Sequence, residues 1–137
     1  MNNKCIFCKI IGKSLEAAIL FEDDDVLAFL DIQPINDGHS LIIPKMHFDK
    51  VEDIPEDIYL KMHSVGRNIL KKIKKSIPET TAFNIFIANG SDAGQDVFHS
   101  HLHIIPRRPK DGLKITFEFG SPLTIKERNK IAEAILK

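Results

Sequence analysis

The sequence has no tryptophan, one tyrosine and two cysteines, and neither sign of charge is in excess. Nineteen basic and nineteen acidic residues cancel, so no net field attracts nucleic acid or an anionic membrane. No apolar run reaches the roughly 18 residues of a transmembrane helix. The start, Met1-Asn-Asn-Lys4, does not contain the apolar core of a signal peptide. We therefore expect neither nucleic acid nor a membrane among the partners.

Both cysteines belong to one Cys-x-x-Cys motif, Cys5 and Cys8. So few cysteines suit a reducing compartment better than a disulfide scaffold, which predicts a cytoplasmic protein. The motif is open to three interpretations: a redox pair, half of a zinc site, or two buried small residues. A thioredoxin-like pair follows a βα pattern, for which the few residues before Cys5 leave no room. Half of a zinc site, which needs two further ligands, is the sharper hypothesis.

The length of 137 residues and the 43% share of apolar residues predict a single domain over residues 1–137. Residues 109–137 are expected to form a C-terminal extension, with 113–119 as an extra strand or extended arm before a final helix that starts at Thr124. A long amphipathic helix is expected from near Pro55, capped by Asp53. Short turns join the strands, which indicates an α+β fold with an antiparallel sheet of about five strands. The strands are expected at residues 18–22, 26–32, 39–44, 81–88 and 98–107.

Three histidines, His99, His101 and His103, alternate with other residues in the last of these strands. Alternation of period two places them on one face, roughly 6.6 Å apart from neighbour to neighbour and roughly 13 Å between the outer two. One metal ion cannot bind all three at Zn–N distances of about 2.0–2.1 Å. The histidines must therefore divide their roles, although a purely structural role and a histidine-rich metal trap remain as alternatives.

A polar loop with two glycines, Asn89 to Asp96, precedes the histidines. Glycine allows backbone N–H groups to approach an anion closely, and we expect those near Gly94 to Asp96 to hold phosphate. The loop is not a Walker motif, because no Gly-Lys-Ser/Thr follows it. A neutral imidazole beside such a loop is typical of a nucleophile that attacks phosphate.

These residues resemble the histidine triad (HIT) nucleotide-binding family, in the bacterial and archaeal branch that is similar to purine nucleoside phosphoramidases. The resemblance covers about residues 4–108. It implies the HIT-like fold and a homodimer in which the two sheets continue into one another. The matching motifs are His99-Ser-His101-Leu-His103-Ile-Ile, Cys5-Ile-Phe-Cys8-Lys-Ile-Ile, Leu27-Ala-Phe-Leu-Asp31-Ile, Gly38-His39-Ser-Leu-Ile-Ile-Pro-Lys-Met-His47 and Ala93-Gly-Gln95.

The resemblance implies a hydrolase or transferase that attacks the α-phosphate of a purine nucleotide, with no organic cofactor. His101 matches the histidine that forms the covalent nucleotidyl intermediate, and His39 the histidine that orients this nucleophile. Asp31 matches the acidic residue that binds the ribose hydroxyls, although an Asp before Gln33-Pro34 can also cap a turn. The substrate-binding residues implied are Phe29, Asp31, Ile32, Asn89, Gly94, Gln95, Asp96, His101 and His103.

Zinc-containing members of the family use a ligand set that maps onto Cys5, Cys8, His47 and His99, so the resemblance implies a structural Zn²⁺ there. Two alternative functions remain open. One is a diadenosine polyphosphate hydrolase, which uses the same chemistry on another leaving group. The other is a nucleotide-binding regulatory protein with little turnover.

The sequence departs from the family pattern at two places. Ala88 stands where many members have Asn, with Asn89 next to it, and Asp96 stands where Ser or Thr is usual. An ionised Asp cannot donate a hydrogen bond and repels phosphate. Asp96 either points away and caps the start of the triad strand, or binds in its protonated form and acts as a general acid. We favour the cap, because the reference pKa of Asp is near 3.9.

Overall fold

Five antiparallel strands form one sheet, and the computed structural model describes residues 4–137. Residues 1–3 lie outside the described residues. They belong to the predicted domain and to the N-terminal segment in which no signal peptide is expected. The strands are β1 (Ile19–Glu22), β2 (Val26–Leu30), β3 (Ser40–Pro44), β4 (Ala82–Phe86) and β5 (Leu102–Arg107). Their order across the sheet is β1-β2-β3-β5-β4. The predicted α+β class with five antiparallel strands is confirmed.

Three α-helices accompany the sheet: α1 (Ile6–Ile11), α2 (Glu56–Ser76) and α3 (Ile125–Ile135). Short 3₁₀ segments lie at Val51–Asp53 and Ser91–Ala93. In residues 4–137 no helix has the length and apolar character needed to cross a membrane.

The sheet separates two apolar clusters, because strand side chains alternate between its faces. On one face, Ala28 and Ile42 pack with the buried side of α2. On the other face, Leu27, Phe29 and Leu41 pack with α1 and with Cys5 and Cys8. The helix α1 is thus seated on the face of the sheet opposite to α2.

The helix α2 packs tightly against the sheet at Gly66. A Cβ atom on this residue would lie 3.1 Å from Leu102 and 3.2 Å from Ile104. Around it, Met62, Val65 and Ile69 continue the buried stripe that the sequence spacing predicts. This contact supports β5, the strand that follows the first two histidines of the triad.

The triad strand is shorter than predicted, because β5 begins only at Leu102. His99 and His101 therefore precede the strand, and only His103 belongs to it. The ladder between β3 and β5 ends at the pair Ile42 and Leu102. Beyond this point Pro44 has no N–H to contribute, and its carbonyl oxygen is paired with the ring of His99.

One further expectation differs from the structure, and one element was not predicted. The N-cap of α2 is Pro55, without a side-chain hydrogen bond, while Asp53 belongs to the preceding 3₁₀ segment. Residues 113–119 form no strand, which agrees with the arm, the second of the two alternatives for this segment. The helix α1 was missed, because six residues are too few to show a clear helical period.

The C-terminal segment is anchored only near its start. Arg107 makes a two-pronged ion pair with Asp111, with Nε to Oδ2 at 2.8 Å and a second guanidinium nitrogen to Oδ1 at 3.0 Å. Thr124 and Glu127 form the predicted capping box at the start of α3. Every residue from 112 to 137 is exposed.

Candidate active site and metal centre

Two cysteines and two histidines converge beneath the sheet. Cys5 caps α1, with its Sγ accepting the backbone N–H of Cys8 at 3.4 Å, so both sulfurs lie at the start of this helix. His47 Nδ1 lies 3.3 Å from Cys8 Sγ. His99 Nδ1 lies 3.5 Å from Cys5 Sγ and 3.6 Å from Cys8 Sγ. The four possible ligand atoms all lie within 4.8 Å of one another.

Hydrogen bonds to the far ring nitrogens direct the lone pairs of both histidines at the sulfurs. The Nε2 of His99 is 2.8 Å from the carbonyl oxygen of Pro44, which can only accept, so Nε2 donates. The Nε2 of His47 donates to Asp49 Oδ1 at 2.6 Å. In its neutral form, each ring presents Nδ1 as a lone pair to the sulfurs of Cys5 and Cys8. Two thiols and two imidazoles with oriented outer partners form a cluster that can hold a metal ion.

Burial shifts the pKa of two members of this cluster. It raises the pKa of the Cys5 thiol and lowers the pKa of His99 to about 4. His99 is therefore neutral near pH 7, as a ligand must be, whereas the thiols would lose their protons to a bound cation.

A single carbonyl group orients the middle histidine of the triad. The Nδ1 of His101 donates to the backbone oxygen of His99 at 2.8 Å. In the neutral ring the lone pair is then on Nε2. The edge of the Phe7 ring packs against the His101 ring, with centroids 5.1 Å apart. The ring of His101 is buried.

A chain of hydrogen bonds fixes the proton on the last histidine of the triad. The backbone N–H of Ile35 donates to His39 Nδ1 at 3.1 Å, so His39 carries its proton on Nε2. This Nε2 donates to His103 Nδ1 at 3.0 Å and lies 3.6 Å from Asp31 Oδ2. Neutral His103 therefore has its own proton on Nε2, where it is a hydrogen-bond donor.

The position of His39 differs from the expectation that it orients the nucleophile. It lies behind His103, while the carbonyl of His99 holds His101. Burial lowers the pKa of His39 and also lowers the pKa of His103 to about 4, and the neighbouring histidines add to the effect on His103. Phe86 stacks on the His103 ring with centroids 4.5 Å apart. Both histidines are neutral donors near pH 7.

An apolar cavity of about 760 Å³ lies between α1 and the strands β1 and β2. Of the predicted binding residues, Phe29, Asp31 and Ile32 line it. One oxygen of Asp31 accepts the backbone N–H of Gln33 at 2.9 Å, as the turn-capping interpretation requires, and the other faces His39. Sequence reasoning missed the other lining residues, among them Ile6, Phe7 and Ile10 of α1. The i, i+4 spacing of Ile6 and Ile10 is the signal that could have found them.

The glycine loop is held from within by Gln95, whose side chain is buried. Its Oε1 accepts the N–H of Gly90 at 2.8 Å, and its Nε2 donates to the backbone oxygens of Asp49 and Val97. Asn89 is also engaged, because its side chain bonds Val51 N–H and Glu52.

Fewer backbone N–H groups of this loop are free than expected. The N–H groups of Gly94 and Gln95 donate to carbonyl oxygens inside the loop. Within residues 4–137 no acceptor is found for the N–H of Asp96. Gly94 has φ of 90°, a conformation that favours glycine. One N–H of the three that were expected to hold phosphate is therefore without a partner in the described residues.

Asp96 agrees fully with neither interpretation of this residue. Its Oδ1 accepts the N–H of Val97 at 2.9 Å, but β5 begins only at Leu102, so this bond does not cap the start of the strand. Nor does the side chain point away, because the same oxygen lies 3.7 Å from His101 Nε2. It is 83% exposed. The carboxylate therefore lies beside His101 Nε2 and is open to solvent.

Comparison with known proteins agrees with this geometry. The family model described as the HIT domain matches residues 13–110. The adenylylsulfatase HINT3 of Arabidopsis thaliana is 42% identical over 113 residues, which are 82% of this chain and 57% of the relative. The adenosine 5'-monophosphoramidase HNT1 of Saccharomyces cerevisiae is 41% identical over 110 residues, 80% of this chain and 66% of the relative.

A solved structure is similar over nearly the whole chain. It is a zinc-bound histidine triad family protein from Mycobacterium smegmatis, with a TM-score of 0.75 and 36% identity over 96% of this chain and 92% of that chain. The chain belongs to the HIT domain family.

The buried histidines predict a loss of stability in mild acid. In the folded protein the pKa of His99 and of His103 is about 4, against 6.5 for the free side chain. As pH falls below 6.5, the unfolded chain takes up protons that the folded protein does not, so the free energy of unfolding decreases. Urea denaturation at about pH 7, 6 and 5 measures this slope. The slope should be smaller in His103→Gln, which cannot be protonated, and an unchanged slope would contradict the assignment to His103.

Proposed function

We propose that the protein hydrolyses purine nucleoside 5'-phosphoramidates or related adenosine 5'-phosphate derivatives through a covalent nucleotidyl intermediate on His101. The observation that carries the proposal is the His99 carbonyl, which accepts a hydrogen bond from His101 Nδ1–H and so leaves the lone pair of the neutral ring on Nε2. This nitrogen lies beside neutral donors, near an apolar cavity and a glycine loop. Membership of the HIT family and the names of the two enzyme relatives support the reaction class.

In the first step His101 Nε2 attacks the α-phosphorus. The new N–P bond forms as the bond from phosphorus to the leaving amine breaks, and the amine retains the electron pair and takes a proton from solvent. In the second step water attacks phosphorus, and the N–P bond breaks with its electron pair returning to Nε2. The water proton passes to solvent, and nucleoside monophosphate leaves. Dividing the displacement in this way replaces one difficult step with two easier ones.

His103 supplies a hydrogen bond to a phosphate oxygen. Its Nε2–H is a donor in the neutral ring, and His39 holds that tautomer through Nδ1. The N–H of Asp96 is the matching donor in the loop. Donors that need no rearrangement stabilise the charge that develops on the phosphate during attack.

The cavity near Phe29 receives the nucleoside. Its apolar walls suit a purine ring, and Asp31 at its edge has a carboxylate oxygen for the ribose hydroxyls. Ile32, 93% exposed, closes over the bound base. Gly94 allows close approach, while Asn89 and Gln95 shape the loop through their own hydrogen bonds.

The leaving group is the open part of this proposal. The names of the two relatives indicate different leaving groups, a sulfate and an amine, and the diadenosine polyphosphate alternative has a third. All three reactions share attack on an adenylyl phosphorus. A regulatory protein with little turnover would use the same residues for binding alone.

A structural zinc ion bound by Cys5, Cys8, His47 and His99 is part of the proposal. The ligand chemistry fits zinc, and the similar structure from Mycobacterium smegmatis is zinc-bound. The ion would join the start of α1 to the segment before β5, and so hold the residue whose carbonyl orients His101. The two free thiols also suit the reducing cytoplasm, where we place the activity.

The protein acts as a homodimer that pairs through β4. This strand is an edge of the sheet, and it exposes 52% of Ile85 and 40% of Phe86. An exposed edge strand with apolar side chains can pair with a strand of another chain. The exposed apolar residues of the arm and α3 add further surface for contact between copies.

Replacing His101 tests the catalytic proposal. The variant His101→Asn should lose several orders of magnitude in kcat on adenosine 5'-phosphoramidate, because it lacks the attacking nitrogen, and should still bind AMP. Steady-state hydrolysis and calorimetric AMP titration measure the two properties. His63→Asn, on α2, is the control that should retain activity. More than about a tenth of the wild-type rate in His101→Asn would exclude a nucleophilic role, since tenfold is only about 1.36 kcal/mol of barrier.

Metal analysis tests the zinc site. Protein made without chelators should contain about one zinc ion per chain, and Cys5→Ser combined with Cys8→Ser should remove it, because two of four ligands are lost. A content below about a tenth of an equivalent in the wild type would contradict the site. Zinc that persists in the double variant would relocate the ion, with Asp31, His39 and His103 as the other group close enough to bind one.

Light scattering tests the dimer. The wild type should have twice the mass of one chain, and Ile85→Lys should shift it towards monomer, because a charge on the edge opposes strand pairing. Leu20→Lys is a matched control on β1, at the other edge of the sheet, where Leu20 is 41% exposed. A monomeric wild type, or equal dissociation by both variants, would contradict pairing through β4.

A further inference from the structure

Asp96 lies where the substrate meets solvent. Its Oδ1 is 3.7 Å from the Nε2 of His101, and the side chain is 83% exposed. The hydrogen bond from Val97 N–H fixes the carboxylate in this position. The proposed function does not use this side chain, and repulsion between a carboxylate and phosphate makes its presence costly.

No basic side chain neutralises Asp96 among residues 4–137, where His101 is its single ion-pair partner. Lys50 is the nearby lysine of the loop, but its Nζ bonds Gln95 Oε1 at 3.4 Å and stands 5.2 Å from the centre of the Phe98 ring. The negative charge of Asp96 is therefore available to the substrate.

The part of the substrate that meets Asp96 is the leaving group. The nucleoside occupies the cavity beside Phe29, and the α-phosphate lies at His101 Nε2. What remains of the substrate projects to the open side, where the exposed carboxylate of Asp96 stands. A positive charge there offsets the repulsion between phosphate and carboxylate, whereas a second negative charge adds to it.

We infer that Asp96 selects substrates by the charge of the leaving group, favouring amines that carry a further ammonium group over neutral amines and disfavouring anionic ones. This inference rests on the proposed function and names the substrate class of the same site. Because the carboxylate is exposed, each unit of charge should change kcat/KM by about fivefold at low salt. The preference should weaken as ionic strength rises.

Three adenosine 5'-phosphoramidates of equal chain length test this charge preference: an N-alkyl, an N-(ω-aminoalkyl) and an N-(ω-carboxyalkyl) compound. Asp96→Asn has the same shape and keeps an oxygen for the N–H of Val97, but has no charge. Asp92→Asn, another exposed Asp of the same loop, is the matched control. The wild type and Asp92→Asn should rank the compounds cationic, neutral, anionic. In Asp96→Asn the three kcat/KM values should converge.

The outcomes separate the inference from the function beneath it. A wild type that hydrolyses none of the three compounds overturns the proposed function, and this inference with it. Hydrolysis with the same ranking in Asp96→Asn overturns the inference alone. An equal loss for all three compounds in that variant also overturns it, because a group that only transfers protons does not sort substrates by distant charge.

Discussion

The position of His99 is the constraint on which the rest of the site depends. Its ring is fixed by the Pro44 carbonyl at one nitrogen and faces both cysteine sulfurs with the other. Its backbone oxygen accepts a hydrogen bond from His101 Nδ1–H. The residue that completes the group of two cysteines and two histidines thus also directs the lone pair of its neighbour. A change at Cys5 or Cys8 would affect His101 through this one residue.

Burial lowers the pKa of three histidines of this site and so keeps their rings neutral. It lowers the pKa of His39, and those of His99 and His103 to about 4, because a charged imidazole loses its hydration there. Each neutral ring then has one donor and one acceptor, and fixed backbone partners decide which nitrogen is which. Asp31 opposes the effect on His39 and His103 by favouring their charged forms. These imidazole rings are therefore uncharged, and each has a hydrogen-bond donor and a lone pair in a fixed direction.

Most of the fold could be predicted from the sequence, since period-two and helical apolar patterns locate all five strands and α2. The gathering of Cys5, Cys8, His47 and His99 also agrees with expectation, because motif spacing and family resemblance indicate it together. The features that the sequence pattern did not predict depend on contacts between distant segments. The partner of His39 is His103, and β5 starts late, because the Pro44 carbonyl binds a side chain. The helix α1 was too short to recognise, and the N–H groups near Gly94 turn inward through bonds that no local pattern encodes.

The central claim is that His101 forms a covalent bond to phosphorus, and mass spectrometry of the trapped intermediate tests it most directly. The reaction with adenosine 5'-phosphoramidate is quenched within the first turnover, and the protein is digested under alkaline conditions. Fragmentation of the peptides should then locate one adenylyl group on His101. His101→Asn should have none. An adduct on His39 or His103, or turnover by the wild type with no adduct at any quench time, would contradict the account.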